Sequence, residues 1–117
     1  MTSGQRRSHM ERYYGNTVSE AITSPTSRTL DWEEATHYRF TLSGSGSLTV
    51  SLPYDVRNET TGLKLTVMNY SASTAFSVAG TSVAAGQTAL VFLTDVSTAA
   101  GTYEVWTRAR GVRTVLA

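Results

Sequence analysis

The sequence predicts an all-β protein: an antiparallel β-sandwich or jelly roll of about seven to eight strands with an extended N-terminal arm. Charged residues make up only 16% of the 117 residues, and Ser, Thr and Val are abundant. Such a composition favours sheets, because β-branched side chains lose rotamer freedom in helices and fit a pleated surface. Short segments of alternating polarity also recur about every 8 to 12 residues, without convincing helical periodicity between them.

The chain divides into a predicted N-terminal arm, residues 1–28, and a single β-sandwich domain, residues 29–117. The arm is polar and has little periodic hydrophobicity, so we expect it to be extended or partly disordered until it meets a partner. One helical turn is expected at 16–22. The predicted partner-binding residues of the arm are Arg6, Arg7, Arg12, Tyr13 and Tyr14.

The first half of the domain contains three predicted strands. A short one at 29–32 precedes an acidic turn. The segment 37–43 alternates with its large apolar residues on one face, and 47–53 alternates again. The Gly-marked run "SGSG" at 43–46 separates these two segments, which is typical of a hairpin turn.

The second half of the domain opens on the clearest strand, 63–71. Its alternation breaks near Met68 and Asn69, which predicts a bulge or the end of the strand. Further strands are expected at 73–80, 88–95 and 102–109, with 112–117 as a last edge strand or a tail.

The glycines at positions 80 and 86 resemble those of a phosphate-binding loop, but the spacing excludes one. Five residues separate them, and Gln87 stands where the lysine should be. A phosphate loop must also open a helix, whereas 89–93 is an apolar, β-rich run. This segment is therefore predicted to join two strands.

No residues are predicted to be catalytic, to ligate a metal or to bind a cofactor. The chain has no cysteine, and its only histidines are His9 and His37. No motif places a nucleophile beside a base. Asp31, Glu33 and Glu34 lie close together, but they lack the spacing of a calcium loop and are predicted to form an exposed acidic turn.

Charge and hydropathy exclude two classes of partner. The net charge of +1 predicts no nucleic-acid partner, and no apolar run reaches the roughly 18 residues that span a bilayer. The charge is unevenly distributed, however, because both ends are basic and the body is acidic. Such a pattern is either a solvated surface or a means for the arginine-rich arm of one subunit to dock on the acidic body of the next.

The tryptophans suggest a contact surface. Trp106 shares its predicted face with Glu104 and Arg108, so it either lies outside the core or, as is more usual for a tryptophan in a small sandwich, closes one end of the core or sits in a subunit interface. Trp32, Trp106 and Arg108 are the predicted residues of a subunit interface or a glycan contact, because aromatic rings serve both purposes.

The order of elements resembles the β-sandwich modules of tailed-bacteriophage virion proteins. The resemblance covers roughly residues 29–108 and is carried by "LDWEEATHYRFTLSGSGSLTVSLP", "GLKLTVMNYS", "FSVAG", "AAGQTALVFLTD" and "TYEVWTRA". It implies a non-enzymatic structural or binding role on the exterior of the capsid or tail, commonly as a homotrimer. The arm would then attach to the major capsid protein or another virion protein.

Three functions follow as hypotheses. The short chain, an arm plus a sandwich, favours a capsid decoration, cement or minor capsid protein. The alternative is a tail-fibre or adhesin-type domain that binds host-surface carbohydrate. A small glycan hydrolase is the third, which the residue inventory disfavours.

Overall fold

The computed structural model describes residues 16–109 of the chain, and this part forms nine strands and no helix. The strands are β1 (Thr17–Ile22), β2 (Pro25–Thr29), β3 (His37–Leu42), β4 (Ser47–Ser51), β5 (Lys64–Asn69), β6 (Phe76–Val78), β7 (Thr81–Val83), β8 (Gln87–Asp95) and β9 (Thr102–Ala109). They form a five-stranded sheet in the order β1-β3-β5-β8-β9 and a four-stranded sheet in the order β2-β4-β6-β7.

The first six strands alternate between the two sheets, so the chain winds in coils. Within the sheets β1, β3 and β5 run parallel to one another, as do β2, β4 and β6. Thr17 pairs with His37, an offset of 20 residues, and His37 pairs with Thr66, an offset of 29 residues. The second coil is longer because the loop 52–63 separates β4 from β5.

The expected antiparallel sandwich or jelly roll is wrong, although the all-β class is confirmed. Parallel strands usually need a helical crossover, and the sequence shows none. Here the crossover is a strand of the opposite sheet, so short strands at regular spacing produce parallel pairs. Antiparallel pairing is confined to the C-terminal half, where β6 pairs with β7 and β8 pairs with both β5 and β9.

The "SGSG" segment is not a hairpin turn, because it joins β3 to β4 in the other sheet. This corner stacks on the preceding one, where Ser43 N donates to Ile22 O at 3.1 Å. A Cβ on Gly46 would overlap the carbonyl oxygen of Ile22. Glycine at 46 therefore allows two successive corners to approach each other closely.

Two strands lie within the segment that was predicted to be an arm. β1 pairs with β3 and β2 pairs with β4, so residues 17–28 belong to the sheets, and the helical turn expected at 16–22 is wrong. Alternation in β1 is weakened because Glu20 occupies an inward position. Residues 1–15 lie outside the described part, so an arm in that segment stays a prediction.

The remaining elements follow the sequence more closely. The strands expected at 37–43, 47–53, 63–71, 73–80, 88–95 and 102–109 all form, with shorter bounds in most cases. β5 ends at Asn69, as the break in alternation predicts. The short strand expected at 29–32 does not form beyond Thr29, and the segment 112–117 lies outside the described residues.

The glycines at 80 and 86 mark turns between strands. Ala79 and Gly80 have φ values of 49° and 86° and join β6 to β7, which is the two-residue hairpin geometry that demands positive φ. Gln87 N donates to Ala84 O at 2.9 Å in the next turn, and β8 follows it. No helix begins here, and the single connection expected between these two glycines is wrong, because the short strand β7 lies between them.

One buried cluster joins the inward faces of both sheets. Phe40 of β3 stacks with Tyr38 at 6.1 Å between ring centroids and meets Phe76 of β6 edge-on at 5.8 Å. The five-stranded sheet contributes Ile22, Tyr38, Phe40, Leu42, Leu65, Val67, Ala89, Val91 and Leu93, and the four-stranded sheet contributes Leu48, Val50, Phe76, Val78 and Val83. Burial of this apolar surface is the main stabilising contribution to the fold.

A buried amide organises the corner after β5. Asn69 is fully buried and donates to the carbonyl oxygens of Thr74 and Val83, each at 2.9 Å. Its Oδ1 accepts the N–H of Ser71 at 2.9 Å, and Ser71 Oγ accepts the N–H of Leu42 at 2.8 Å. These bonds satisfy polar groups that burial would otherwise leave unpaired.

Candidate binding surface

The outer face of β8 and β9 carries the largest exposed aromatic ring of the five-stranded sheet. Strand alternation turns Leu90 and Phe92 of β8 away from the core, and Trp106 pairs across from Leu90. Trp106 is 62% exposed, although it belongs to a regular strand. An exposed apolar surface of this kind marks a contact site in soluble proteins more often than a scattered single residue does.

These side chains surround an open groove of about 480 Å³. Its lining comprises Leu90, Phe92, Glu104, Trp106, Thr107 and Arg108. The floor is apolar, and one carboxylate and one guanidinium flank the indole. Trp106 Nε1 lies 3.4 Å from Glu104 Oε1, a long hydrogen bond that leaves the indole face open. The groove can therefore pack an apolar or planar group and pair with charges of either sign at its rim.

The predicted contact residues divide between surface and core. Trp106 and Arg108 are brought together in the groove, as their alternation predicts. Trp32 is only 3% exposed and belongs to the core cluster, so its ring offers no stacking face to solvent. Arg6, Arg7, Arg12, Tyr13 and Tyr14 lie outside the described residues.

A second cavity, of about 520 Å³, lies at the rim of the core near Trp32. Its lining is Thr29, Leu30, Asp31, Trp32, Glu33, Pro53, Tyr54, Asp55 and Glu59. Tyr103 donates to the carbonyl oxygen of the lining residue Pro53 at 2.8 Å, and burial raises the pKa of Tyr103 to about 12. The phenol is therefore protonated at neutral pH and serves as a donor.

The acidic turn that resembled a calcium site is occupied by structural contacts. Asp31 Oδ1 accepts the N–H of Glu33 at 2.9 Å, and Glu34 forms an ion pair with Arg28 at 2.9 Å. Within residues 16–109 no group of three histidine, aspartate or glutamate residues could hold a metal ion.

An ionic cluster that the sequence did not predict closes the β1–β2 side of the molecule. Arg28 of β2 pairs with Glu20 of β1 at 3.0 Å and with Glu34, and its guanidinium lies 5.5 Å from the ring centroid of Tyr38. Tyr38 donates to Glu34 Oε1 at 3.0 Å. Arg28 thus links the edge strands of both sheets to the acidic turn.

The surroundings of the cluster favour an ionised Glu34 and a neutral Tyr38. The hydrogen bond from Arg28 lowers the pKa of Glu34 below its usual value, and burial raises the pKa of Tyr38 above its usual value. Glu34 is therefore ionised and Tyr38 neutral at pH 7. Glu20 and Arg28 both occupy inward positions of their strands, which would have indicated the ion pair. These positions can be assigned only once both segments are recognised as strands.

The described residues contain no arrangement of nucleophile and base. His37 begins β3, where Thr17 and Thr66 flank it in the sheet. Among residues 16–109 it forms no hydrogen bond with a hydroxyl or a carboxylate, which a catalytic base would need. This part of the chain also holds no helix of the length and apolarity that a membrane span requires.

Comparison with known proteins identifies no relative: no protein-family model matches the chain, and neither a curated protein nor a solved structure matches it.

Proposed function

We propose that the chain is a non-enzymatic structural protein of a bacteriophage virion, a decoration, cement or minor capsid protein on the particle exterior. In this role it attaches through its N-terminal arm and associates with copies of itself. The observation that carries the proposal is Trp106, 62% exposed over an apolar groove. A protein that works within a lattice of subunits needs such a surface, whereas an isolated globular domain tends to bury it.

The positions of the two attachment points support this role. β1 and β9 are the opposite edges of the five-stranded sheet. The segment that carries Arg6, Arg7 and Arg12 precedes β1, and Asn16 anchors the start of β1 by donating to Glu34 O at 3.1 Å. The chain therefore enters the described fold at the edge of the sheet opposite the one that carries the Trp106 groove.

The residue content of the body supports a role without catalysis. The polar residues of the acidic turn and of the Arg28 cluster are engaged in contacts that hold the fold together. The groove offers one carboxylate and one guanidinium, at outward positions of β9 on either side of Trp106. A glycosidase needs two carboxylates across one cleft.

The test is the composition of particles purified from cells that carry the encoding genome. We expect the chain to be present in the purified particles and to be labelled by antibody on the particle exterior. A variant that begins at Asn16 should keep the fold, because every described strand is retained, and should be lost from particles. A fully incorporated arm-deleted variant, or particles without the chain, would overturn the proposal.

Removal of residues 1–28 is not a suitable form of this test. That deletion also removes β1 and β2, which leaves β3 and β4 without their partners. A matched control is the full-length chain with Arg57→Ala, which changes an exposed arginine far from the arm in sequence.

The second candidate, a tail-fibre or adhesin domain that binds carbohydrate, is favoured by the same indole. A sugar ring stacks on an exposed aromatic face while charged groups at the rim bind its hydroxyls. Titration of surface glycans from the host should then quench or shift the fluorescence of Trp106, and Trp106→Ala should abolish binding. A fluorescence signal unchanged by every glycan tested would reject this candidate and leave the structural role.

A further inference from the structure

The four edge strands of the two sheets differ in how they are protected from pairing with another chain. Proteins block sheet edges with prolines, inward-pointing charges or very short strands. β1 carries the inward Glu20, β2 begins at Pro25 and carries the inward Arg28, and β7 has only three residues. Each of these edges is therefore blocked by a recognised device.

The edge strand β9 has none of these devices. It is eight residues long, with no proline or lysine, and its inward positions are uncharged. Those positions are Tyr103, Val105, Thr107 and Ala109. A shift of register interrupts its pairing with β8 near Asp95, at the Thr102 end, which leaves the segment around Trp106 regular. Within residues 16–109 β9 pairs with β8 alone, so its other edge presents backbone donors and acceptors.

The outward side chains of β9 are complementary to themselves under a twofold rotation. Glu104, Trp106 and Arg108 alternate along one face. If two copies of β9 align antiparallel with Trp106 opposite Trp106, then Glu104 of each copy lies opposite Arg108 of the other. Opposite charges and aromatic pairs directly across from each other both stabilise antiparallel strands.

The charges of this face are available for such pairing. Within the described residues Arg108 forms no ion pair, and Glu104 accepts only the long bond from Trp106. On the opposite face the same alignment sets Val105 against Thr107, and both are β-branched residues suited to a sheet. The two grooves, each with its own Leu90 and Phe92, would adjoin across the axis.

From this pattern we propose that the occupant of the β9 edge is a second copy of this chain, paired antiparallel about a twofold axis at Trp106. The two five-stranded sheets then form one sheet of about ten strands, since each contributes all of its own. The smallest closed assembly is a dimer, in contrast to the homotrimer that the resemblance implies. The proposal does not depend on the virion role, because it concerns only the contact between copies.

The experiment compares single charge reversals with their mixture. The mass of the full chain is followed by light scattering and sedimentation over a dilution series, with Glu104→Arg and Arg108→Glu as variants. Each reversal replaces two attractive pairs per dimer by two repulsive ones, so we expect self-association to weaken about tenfold or more. Arg57→Glu, at an exposed loop position, is the matched control and should associate like the unaltered chain.

An equimolar mixture of the two variants should restore association, because every charge then faces its opposite in the heterodimer. The double variant Glu104→Arg/Arg108→Glu should restore it within one chain. Circular dichroism of each variant verifies the fold, which exposed positions should not disturb. The proposal is overturned if the full chain stays monomeric at high concentration, forms a trimer, or associates equally with either reversal.

Residues 110–117 are the competing occupant of this edge. A chain that ends at Ala109 tests them directly. If the full chain is monomeric and the shortened chain dimerises, the C-terminal segment covers β9 in the same molecule and the proposal fails. If both chains dimerise with the same charge dependence, the second copy is the occupant.

Discussion

The two edges of the five-stranded sheet use the same kinds of side chain for opposite purposes. At β1, Glu20 points inward and pairs with an arginine whose guanidinium lies over Tyr38. At β9, a glutamate and an arginine flank Trp106 on the outward face. The first set closes the fold and leaves that edge unsuited to pairing. The second set is exposed and forms the surface that we propose for contact between copies.

Burial explains why the two sets behave differently. The Arg28 side chain is 19% exposed and bonds to two carboxylates and a backbone carbonyl, so removing it would leave charges without compensation. Glu104 and Arg108 are exposed, where ion pairs within one chain contribute little to stability. The side chains at β1 are thus expected to affect folding and those at β9 to affect association.

The largest effect on stability is expected at the two stacked corners that follow β1 and β3. Gly46→Ala would place a methyl group against the carbonyl of Ile22, and separating the two coils should cost about 3 kcal/mol or more of unfolding free energy. Gly44→Ala is the matched control. Its φ is +58° with open space around the added Cβ, so about 1 kcal/mol is expected. If urea denaturation showed the same loss of unfolding free energy for both variants, the two corners would not be tightly stacked.

Arg28→Met tests the ionic cluster itself. The substitution leaves Glu20 and Glu34 without their cation, and about 2 kcal/mol of unfolding free energy should be lost. Arg108→Met, the equivalent change at β9, should stay within about 0.5 kcal/mol at a dilution where the protein is monomeric. Thermal unfolding of the two variants under the same conditions measures this difference. Equal losses of stability would contradict a structural role specific to Arg28.

The dependence of stability on pH tests the same cluster without a substitution. The pKa of Glu34 is lowered in the folded protein, so its contribution is fully present above its unfolded pKa, near 4.5, and is lost as the pH falls below that value. We expect the melting temperature to decline in this range and the decline to be shallower in Arg28→Met. Identical pH profiles for the two proteins would assign the acid sensitivity to other carboxylates.

The smallest effect on stability is expected at the exposed tryptophan. Trp106→Ala removes a ring that is 62% exposed, so the unfolding free energy of the monomer should change by less than about 0.5 kcal/mol. Association between copies should nevertheless weaken. Denaturation at low protein concentration, compared with sedimentation at high concentration, separates the two quantities. A large loss of unfolding free energy in the monomer would show that Trp106 stabilises the fold itself.

Alternation of polarity was enough to find six strands and the outward position of Trp106, because burial on one face leaves a period of two in the sequence. It did not reveal which strands are neighbours, since pairing depends on residues 20 or more positions apart. β1 and β2 were missed because Glu20 and Arg28 replace apolar residues at inward positions, and only their mutual contact makes such burial tolerable. Trp32 lies outside the strands, so alternation says nothing about it, and its burial is evident only from the packing.

The coil path also has a consequence for how the chain reaches this structure. β8 and β9 are joined by the short loop 96–101, and such local hairpins form in microseconds, whereas parallel partners distant in sequence must first close a long loop. We therefore expect the C-terminal hairpin to form early, with β5, β3 and β1 added in that order. During synthesis the N-terminal strands leave the ribosome first, but the five-stranded sheet is complete only after β8 and β9 have emerged.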